Sequence, residues 1–185
     1  MSGTTSVIGV LRGHDLYVAN VGDSRVIVGT RYADGSLHSL TISEDHKPDA
    51  LEEKKRIEES GGRVFACSYD DGTLGPARVW LADRDIPGLA MSRSLGDRLA
   101  HSVGVSAEPD LFHLVIKPEH KWLIFASDGL WEFMENDEVI AIVAKANDPK
   151  KAAELLVAAS AERWMARESV VDDTTVIVIE LKSRD

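Results

Sequence analysis

The sequence predicts an α+β fold built from antiparallel sheets and a few helices. The first third of the chain alternates between short runs rich in Val, Ile and Thr and tight turns that contain Gly and Asp. Strands joined by so few residues must be antiparallel neighbours. Helical periodicity appears only after residue 47 and returns between residues 136 and 167. Because strands and helices are segregated along the chain, we expect a layered α+β domain.

The N-terminal strands are predicted from β-branched runs that stop at turn residues. Turns are expected where Gly and Asp occur together, at residues 12–15, 22–24 and 33–36. The strands between and beside these turns cover residues 4–11, 16–21, 25–30 and 37–42. We expect the four strands to form one continuous meander.

A helix is predicted over residues 48–59, with Gly61 just after it as a glycine C-cap. Its charged run at residues 52–56 is interpreted as a solvated face. On that face Glu52 stands four positions before Arg56, a spacing that allows a weak ion pair.

Residues 63–88 are predicted to be irregular, because loop signals occur at residues 70–72 and 75–76. A loop of this length in a compact domain is often a functional flap. A plain surface loop is the alternative interpretation.

The last third is predicted to contain two strands, then two helices and a final strand. The strands cover residues 111–116, 122–126 and 174–181. Asn136 is predicted to cap a helix that runs to Ala146. Asp148 is predicted to cap the next helix, which has Pro149 at its first position and runs to about Arg167. Its inward face is predicted to carry Leu155, Leu156 and Ala159.

Composition predicts one soluble globular domain over residues 1–185. Hydrophobic residues make up 44% of the chain and charged residues 28%. Apolar runs stay far below the ~18 residues of a membrane helix, and the first residues lack the pattern of a secretory signal. Cys67 is the only cysteine, which excludes internal disulfides and a thiolate metal cluster. We therefore expect a reducing compartment, the cytoplasm or the nucleus.

The formal net charge of −10 argues against nonspecific binding to nucleic acid or to anionic membranes. An acidic protein can still act on phosphate when bound cations invert the local charge. Acidity also favours solubility. Composition alone leaves both interpretations open.

Three aspartates stand where a predicted strand meets a turn: Asp23, Asp128 and Asp172. Asp128 follows the most apolar run, residues 122–126, and precedes Gly129. If the strands are neighbours, their carboxylates converge at one end of a sheet. Carboxylate oxygens without Cys or paired His suit Mg²⁺ or Mn²⁺ better than Zn²⁺. Asp-Gly is also a common turn dipeptide, so a purely structural role is the alternative for each aspartate.

Five short motifs then occur in a fixed order along the chain. They are Val-Gly-Asp-Ser-Arg at 21–25, Asp-His-Lys-Pro at 45–48, Leu-Ala-Met-Ser-Arg-Ser-Leu-Gly-Asp at 89–97, Ala-Ser-Asp-Gly-Leu-Trp at 126–131 and Asp-Asp-Thr-Thr at 172–175. Together they resemble the type 2C, or PPM, metal-dependent protein serine/threonine phosphatases. The resemblance extends from about Thr4 to Leu181. Each motif alone is weak, whereas five in this order are specific.

The resemblance implies an αββα sandwich, in which two antiparallel sheets are flanked by helices and hold two Mg²⁺ or Mn²⁺ ions between them. Asp128 and Asp172 correspond to metal ligands of the family. Asp23 corresponds to an aspartate linked to a weaker third ion. Glu132 stands where many members have an Asp that helps to hold the third ion. Asp173 replaces a commoner Asn, which affects hydrogen bonding more than ligation.

The family's Asp-Gly-His-Gly-Gly segment, its upstream Glu ligand and its phosphate-binding Arg have no match in residues 1–185. We therefore expect this chain to be the C-terminal two-thirds of a phosphatase domain that is truncated at its N-terminus. The catalytic histidine and the phosphate-binding arginine are expected to lie in the missing segment.

The resemblance implies hydrolysis of phosphoserine and phosphothreonine in phosphoprotein substrates by a metal-activated water. The isolated chain is expected to be weakly active or inactive. The alternative is a non-catalytic binding module of the pseudophosphatase type. A carboxylate-pair glycosidase is poorly supported, because only 6% of the residues are aromatic.

Other motif residues are interpreted as structural. His46 is expected to pack or cap rather than catalyse. Arg93 is expected to brace its loop through a charge-assisted hydrogen bond to Asp97. Trp131 and Trp164 are expected to belong to the core.

Overall fold

The computed structural model describes residues 2–68, 74–168 and 170–182. The strands in these residues are β1 Gly3–Thr4, β2 Ser6–Arg12, β3 Asp15–Val21, β4 Arg25–Arg31, β5 Leu37–Thr41, β6 Arg63–Ser68, β7 Leu74–Trp80, β8 Pro87–Leu89, β9 Leu95–Gly96, β10 Asp110–Val115, β11 His120–Ala126 and β12 Val176–Glu180. The helices are α1 Leu51–Glu59, α2 Arg98–His101, α3 Asp128–Trp131, α4 Asn136–Val143 and α5 Pro149–Arg167. No helix in the described ranges is long and apolar enough to cross a membrane.

The chain forms two compact units. Unit 1 comprises residues 1–6, 20–23 and 45–110, and unit 2 comprises residues 7–19, 24–44 and 111–185. The predicted mixture of helices and antiparallel sheets is confirmed.

Unit 2 contains two sheets. One has the strand order β12-β11-β4-β5, and its strand pairs are antiparallel. The other has the order β10-β3-β2. The two sheets share a core in which Leu16 and Val18 of β3 pack with Val26 and Val28 of β4 and Phe125 of β11. The inner faces of both sheets therefore point at one another.

The opposite face of the four-stranded sheet carries the helices. Because side chains alternate along a strand, Ile27 and Ile124 point away from the inter-sheet core. They pack with Leu130, Ile140 and Leu156 of α3, α4 and α5. Unit 2 thus stacks a helix layer on one sheet and a second sheet on the other side.

The predicted continuous meander is wrong. Strands β2 and β3 belong to one sheet, whereas β4 and β5 belong to the other. The reason lies in β4, where Val26, Ile27 and Val28 are all fully buried. A strand that is apolar on both faces must be covered by other elements on both sides. A single meander of four strands would leave one of these faces in water.

The predicted start of α5 is confirmed. Asp148 precedes the helix, its Oδ1 accepts the Lys151 N–H at 2.8 Å, and Pro149 occupies the first turn. Leu156 is fully buried as predicted, but Leu155 is 37% exposed and the prediction for it is wrong.

The prediction that Asn136 caps α4 is also wrong. Asn136 is the first residue of the helix, its N-cap is Glu135, and the helix ends at Val143. The Asn136 side chain accepts a hydrogen bond from Arg25 Nη1 at 2.8 Å instead, and a long-range partner of this kind leaves no local signal in the sequence.

Unit 1 contains α1, α2 and the three-stranded antiparallel sheet β6-β7-β8. Its core is formed by a short set of apolar side chains: Ile57, Val79, Ala100, Val103 and Val105. Helix α1 begins at Leu51, three residues later than predicted. The short strands β1 and β9 pair antiparallel in the same unit.

The prediction that residues 63–88 are irregular is wrong over most of its length. Strands β6 and β7 form a hairpin in which Arg63 is opposite Trp80. Phe65 stacks on Trp80 with the two ring centroids 5.1 Å apart. The loop signal at Gly75-Pro76 misled the prediction. A proline is tolerated there because β8 pairs with β7 only near Val79 and Trp80. The other loop signal, at residues 70–72, lies outside the described residues.

We expect Asp148→Ala to lower the free energy of unfolding by about 1 kcal/mol, because α5 would lose its side-chain acceptor. Urea unfolding followed by circular dichroism measures the change. Lys150→Ala, at an exposed site in the same turn, is the matched control and should change stability by less than about 0.5 kcal/mol. Equal losses in the two variants would contradict the capping role.

Candidate metal centre

Asp128 stands at the end of the buried strand β11, as the sequence predicted. Ser127 is the N-cap of α3 and Asp128 is its first residue. Trp131 is buried and its Nε1–H donates to the Ala126 carbonyl at 2.9 Å. The predicted core role of Trp131 is thus confirmed, and its indole ties the short helix back to the strand that precedes it.

Two further hydrogen bonds hold the same turn from the side of α5. The Gly129 carbonyl accepts from Ser160 Oγ at 2.7 Å and from Trp164 Nε1 at 2.7 Å. Ser160 is buried and Trp164 is half-buried. Trp164 thus packs as predicted, and it also positions the backbone next to Asp128.

Gly129 is required for a close approach of two chain segments. A Cβ at this position would lie 2.4 Å from the Asp173 carbonyl oxygen and 2.8 Å from Thr174 Oγ1. Ser127 adds two hydrogen bonds to Thr175, one from its own N–H and one to its Oγ, both at 3.1 Å. The Asp128 turn therefore lies directly against residues 172–175.

The strand register explains why these segments meet. In the antiparallel sheet of unit 2, Ala126 of β11 is opposite Val176 of β12 and opposite Arg25 of β4. The end of β11 and the start of β12 thus lie at one edge of the sheet. The register thus brings the Asp128 and Asp172 segments together, while the convergence of their carboxylates stays a prediction.

The carboxylate of Asp172 is partly fixed by its own loop. Its Oδ1 accepts the Asp173 N–H at 2.8 Å, and both residues are exposed. Glu132 is also exposed and lies one helical turn after Asp128, with its N–H donating to the Asp128 carbonyl at 2.9 Å. This edge of unit 2 is therefore rich in accessible carboxylates.

The donors fit Mg²⁺ or Mn²⁺ in kind but fall short in number. Asp128 and Asp172 offer the hard oxygen atoms that these ions prefer. Across residues 2–68, 74–168 and 170–182, however, no three or more His, Cys, Asp or Glu side chains form a group that could hold a metal ion. The assignment of Asp128 and Asp172 as metal ligands stays a prediction.

Asp23 belongs to unit 1 and is 2% exposed. Its Oδ2 lies 3.2 Å from Lys47 Nζ, so the buried carboxylate has an ammonium partner. The preceding Gly22 has φ +110° and a Cβ there would lie 2.3 Å from Thr5 Cγ2, so the turn accepts only glycine. The role of Asp23 as a metal ligand also stays a prediction.

His46 has the structural role that the sequence predicted. It is 3% exposed, its Nδ1 accepts the Gly22 N–H at 3.0 Å, and its Nε2 lies 3.1 Å from Asp110 Oδ2. Both ring nitrogens are therefore engaged.

The interpretation of residues 52–56 as a solvated face is wrong for Glu53, which is 5% exposed. Arg56 binds both of its carboxylate oxygens at 2.7 Å, and Arg93 Nη2 binds Oε1 at 2.8 Å. Ser92 Oγ donates a further hydrogen bond. Burial alone would raise the pKa of Glu53, but the two guanidinium groups and Ser92 outweigh it and hold this pKa well below its ordinary value.

The predicted pairing of Arg93 with Asp97 is wrong. Arg93 binds Glu53 and, through Nη1, Asp110 Oδ1 at 2.7 Å. Burial acts to raise the pKa of Asp110, but hydrogen bonds from His46 and Arg93 lower it overall. Burial likewise opposes the charge on Arg93, and its two carboxylate partners raise its pKa. Sequence reasoning missed this network because its members are far apart along the chain.

The sequence model of the family described as "Protein phosphatase 2C" matches residues 1–168. "Probable protein phosphatase 2C 72" of Arabidopsis thaliana is 37% identical over 187 residues, covering 100% of this chain and 56% of the relative. "Probable protein phosphatase 2C 12" of Oryza sativa subsp. japonica is 38% identical over 182 residues, covering 97% of this chain and 46% of the relative. The chain thus spans about half the length of these curated relatives.

Two solved structures have the same fold as this chain. The serine-threonine phosphatase 2C from Toxoplasma gondii superimposes with a TM-score of 0.85 at 28% identity, covering 97% of this chain and 58% of that one. A C. elegans sex determining protein shares the fold, with a TM-score of 0.77 at 21% identity and with 97% of this chain and 40% of that one covered. The fold and the family match define a chain of the protein phosphatase class. It belongs to the protein phosphatase 2C family.

We expect Gly129→Ala to destabilise the protein by about 2–3 kcal/mol, because the new methyl group would overlap the Asp173 carbonyl. Gly13→Ala is the control: its φ of +65° is strained for alanine, but no atom lies within 4 Å of the new Cβ. That variant should lose only about 1 kcal/mol. Urea unfolding compares the two, and an equal or smaller loss for Gly129→Ala would contradict the close approach.

We expect Glu53 to make unit 1 sensitive to acid. Because folding lowers its pKa from an ordinary value of 4.5, the stabilisation is complete above that pH and is lost as the pH falls toward the lowered pKa. Glu53→Gln should reduce the free energy of unfolding by about 3 kcal/mol at pH 7, because it removes the buried carboxylate that Arg56 and Arg93 bind. It should also make stability less dependent on pH in the acid range.

The control for this change is Glu58→Gln, which removes an ion pair between half-exposed side chains of Lys54 and Glu58. Its effect should stay below about 0.5 kcal/mol at pH 7. Thermal unfolding at pH values from 3 to 7 measures both variants. If the stability of Glu53→Gln fell with pH as steeply as that of the unaltered protein, other carboxylates would be responsible for the loss of stability in acid.

Proposed function

We propose that this chain forms part of the catalytic domain of a metal-dependent protein serine/threonine phosphatase. The reaction is hydrolysis of phosphoserine and phosphothreonine in phosphoprotein substrates. The observation that carries the proposal is the packing of the Asp128 turn against residues 172–175, in a chain of the protein phosphatase 2C family. Two acidic strand ends are thereby brought to one edge of a sheet.

In this proposal Asp128 and Asp172 hold one Mg²⁺ or Mn²⁺ ion, and Asp23 serves a weaker third ion. When bound, a pair of such ions supplies an acidified water for attack on phosphorus and neutralises the phosphoryl oxygens. The chain's own contribution is rigidity. Gly129 and Ser127 hold the turn that contains Asp128 against the loop that contains Asp172. Little reorganisation is therefore needed when a cation binds.

The family's acid histidine and phosphate-binding arginine have no matching motif in residues 1–185. We therefore propose that the isolated chain has little or no activity. A cytoplasmic or nuclear location is part of the proposal as well, and its support is the single cysteine, Cys67.

A pseudophosphatase-type binding module is the second candidate. Two observations favour it: Asp23 is already paired with Lys47, and the described residues hold no cluster of three metal-ligating side chains. Under this alternative the acidic edge of unit 2 has a structural role, and the protein acts by binding a partner.

Calorimetric titration with Mn²⁺ tests the proposal. We expect saturable binding in the present chain, weakened at least about tenfold by Asp128→Asn or by Asp172→Asn, because each removes an anionic ligand. Asp83→Asn, which removes an exposed carboxylate of unit 1, is the control and should bind as the unaltered chain does. Circular dichroism checks that the variants fold.

Phosphate release from a phosphothreonine peptide in Mn²⁺ provides a second measurement. We expect a slow rate that both aspartate variants reduce further. Absence of Mn²⁺ binding in the unaltered chain, or equal binding in all three variants, would favour the binding module.

A further inference from the structure

The dipeptide His46-Lys47 holds the Gly22-Asp23 turn at three atoms. The Gly22 N–H donates to His46 Nδ1 at 3.0 Å, and the His46 N–H donates to the Gly22 carbonyl at 3.0 Å. The next side chain, Lys47, reaches Asp23 Oδ2 at 3.2 Å. Two consecutive residues thus bind both the backbone of the turn and its carboxylate.

These contacts determine the tautomer of His46. Because Nδ1 accepts a hydrogen bond from a backbone N–H, it carries no proton. The proton of the neutral ring is therefore on Nε2, which donates to Asp110 Oδ2 at 3.1 Å. The ring has one orientation that satisfies both partners.

A partly buried ionic network fixes that orientation through Asp110. Asp110 is bound by Arg93 at 2.7 Å, and Arg93 is bound by Glu53 at 2.8 Å. The side chain of Arg93 is 15% exposed and that of Glu53 is 7% exposed, so both ions depend on protein partners. Rotation of the imidazole would break a hydrogen bond to this network and leave the Gly22 N–H without its acceptor.

The other side of the turn is closed as well. Thr5 lies where a side chain at residue 22 would be, and Asn20 Nδ2 donates to the Gly22 carbonyl at 3.2 Å. Gly22 is thus held between Thr5 and His46. Asp23 therefore follows a residue whose backbone is confined on both sides.

We propose that His46 is a positioning residue that orients Asp23, with the Asp110–Arg93–Glu53 network as its anchor. His46 acts on the turn through Gly22 and is not itself a ligand or an acid. The inference rests on the proposed function only for what Asp23 binds, since the hydrogen bonds that hold the turn involve protein atoms alone.

Two substitutions separate the two nitrogens of the ring. In His46→Asn the amide oxygen can take the place of Nδ1 and keep the acceptor for Gly22, while the contact to Asp110 is lost. In His46→Gln the longer amide can keep the donor to Asp110, while the acceptor for Gly22 is lost. Each variant removes one buried hydrogen bond, so their overall stabilities should fall similarly.

Amide hydrogen exchange of Gly22, followed by NMR on the full chain without metal, is the first readout. We expect exchange at least about tenfold faster in His46→Gln and within about threefold of the unaltered protein in His46→Asn. The amide of Leu156 in unit 2 reports general destabilisation and should change equally in both. Equal loss of Gly22 protection in both variants, or the reverse order, would overturn the proposal.

Nitrogen chemical shifts of the His46 ring supply an independent check. The proposal requires the proton on Nε2 at neutral pH in the metal-free protein, and a proton on Nδ1 would overturn it.

Mn²⁺-induced broadening of the Gly22 and Asp23 amides tests the link to the proposed function. We expect broadening in the unaltered protein and in His46→Asn, and a clear reduction in His46→Gln. If the exchange pattern holds while the unaltered protein shows no broadening, His46 positions the turn as proposed and the metal role of Asp23 fails. Equal broadening in all three proteins would overturn the claim that His46 orients Asp23.

Discussion

The candidate site depends on a contact that only glycine permits. With no side chain at residue 129, the loop 172–175 lies directly on the turn that carries Asp128. The turn follows directly after the apolar strand β11. The register of β11 with β12 places the segment of Asp172 at the same edge of the sheet. Cohesion of the sheet and proximity of the two acidic segments therefore have a common cause. This coupling explains how a strand end can be both a packing element and a place for cation chemistry.

Unit 1 shows a different use of charge. The buried carboxylate of Glu53 binds Arg56 and Arg93. Arg93 also binds Asp110, which in turn contacts the neutral ring of His46. Buried ions of this kind add little net stability, because their desolvation offsets much of the attraction. They do specify geometry, since every member has a single arrangement that satisfies its partners. We interpret the network as a means of fixing the orientation of a turn.

Local signals predicted those parts of the fold whose causes are local. The cap of α5 at Asp148 and the strand that ends before Asp128 both follow from neighbouring residues. The hairpin of β6 and β7 was missed because Pro76 suggests a loop. The proline is acceptable in this strand because β8 pairs with β7 only near Val79 and Trp80, and because the β6–β7 register is irregular between Ala66 and Ser68. The network around Glu53 was missed because its partners come from residues 92–110, and no spacing rule connects them. For the candidate site, the ordered motifs predicted the aspartates as ligands, whereas the close approach that requires Gly129 became visible only in the structure.

The antiparallel register of β11 and β12 also decides where the chain tolerates changes of length. Some fifty residues separate these strands, and they form α3, α4, α5 and the loops that join them. An insertion in the loop between α4 and α5 leaves the pairing of Ala126 with Val176 untouched. A deletion of one residue within β12 would instead turn the inward side chains on one side of the deletion, Val176 or Val178, away from the helix layer, because side chains alternate along a strand. Natural length variants of this chain should therefore cluster in the helical connections and avoid the last strand.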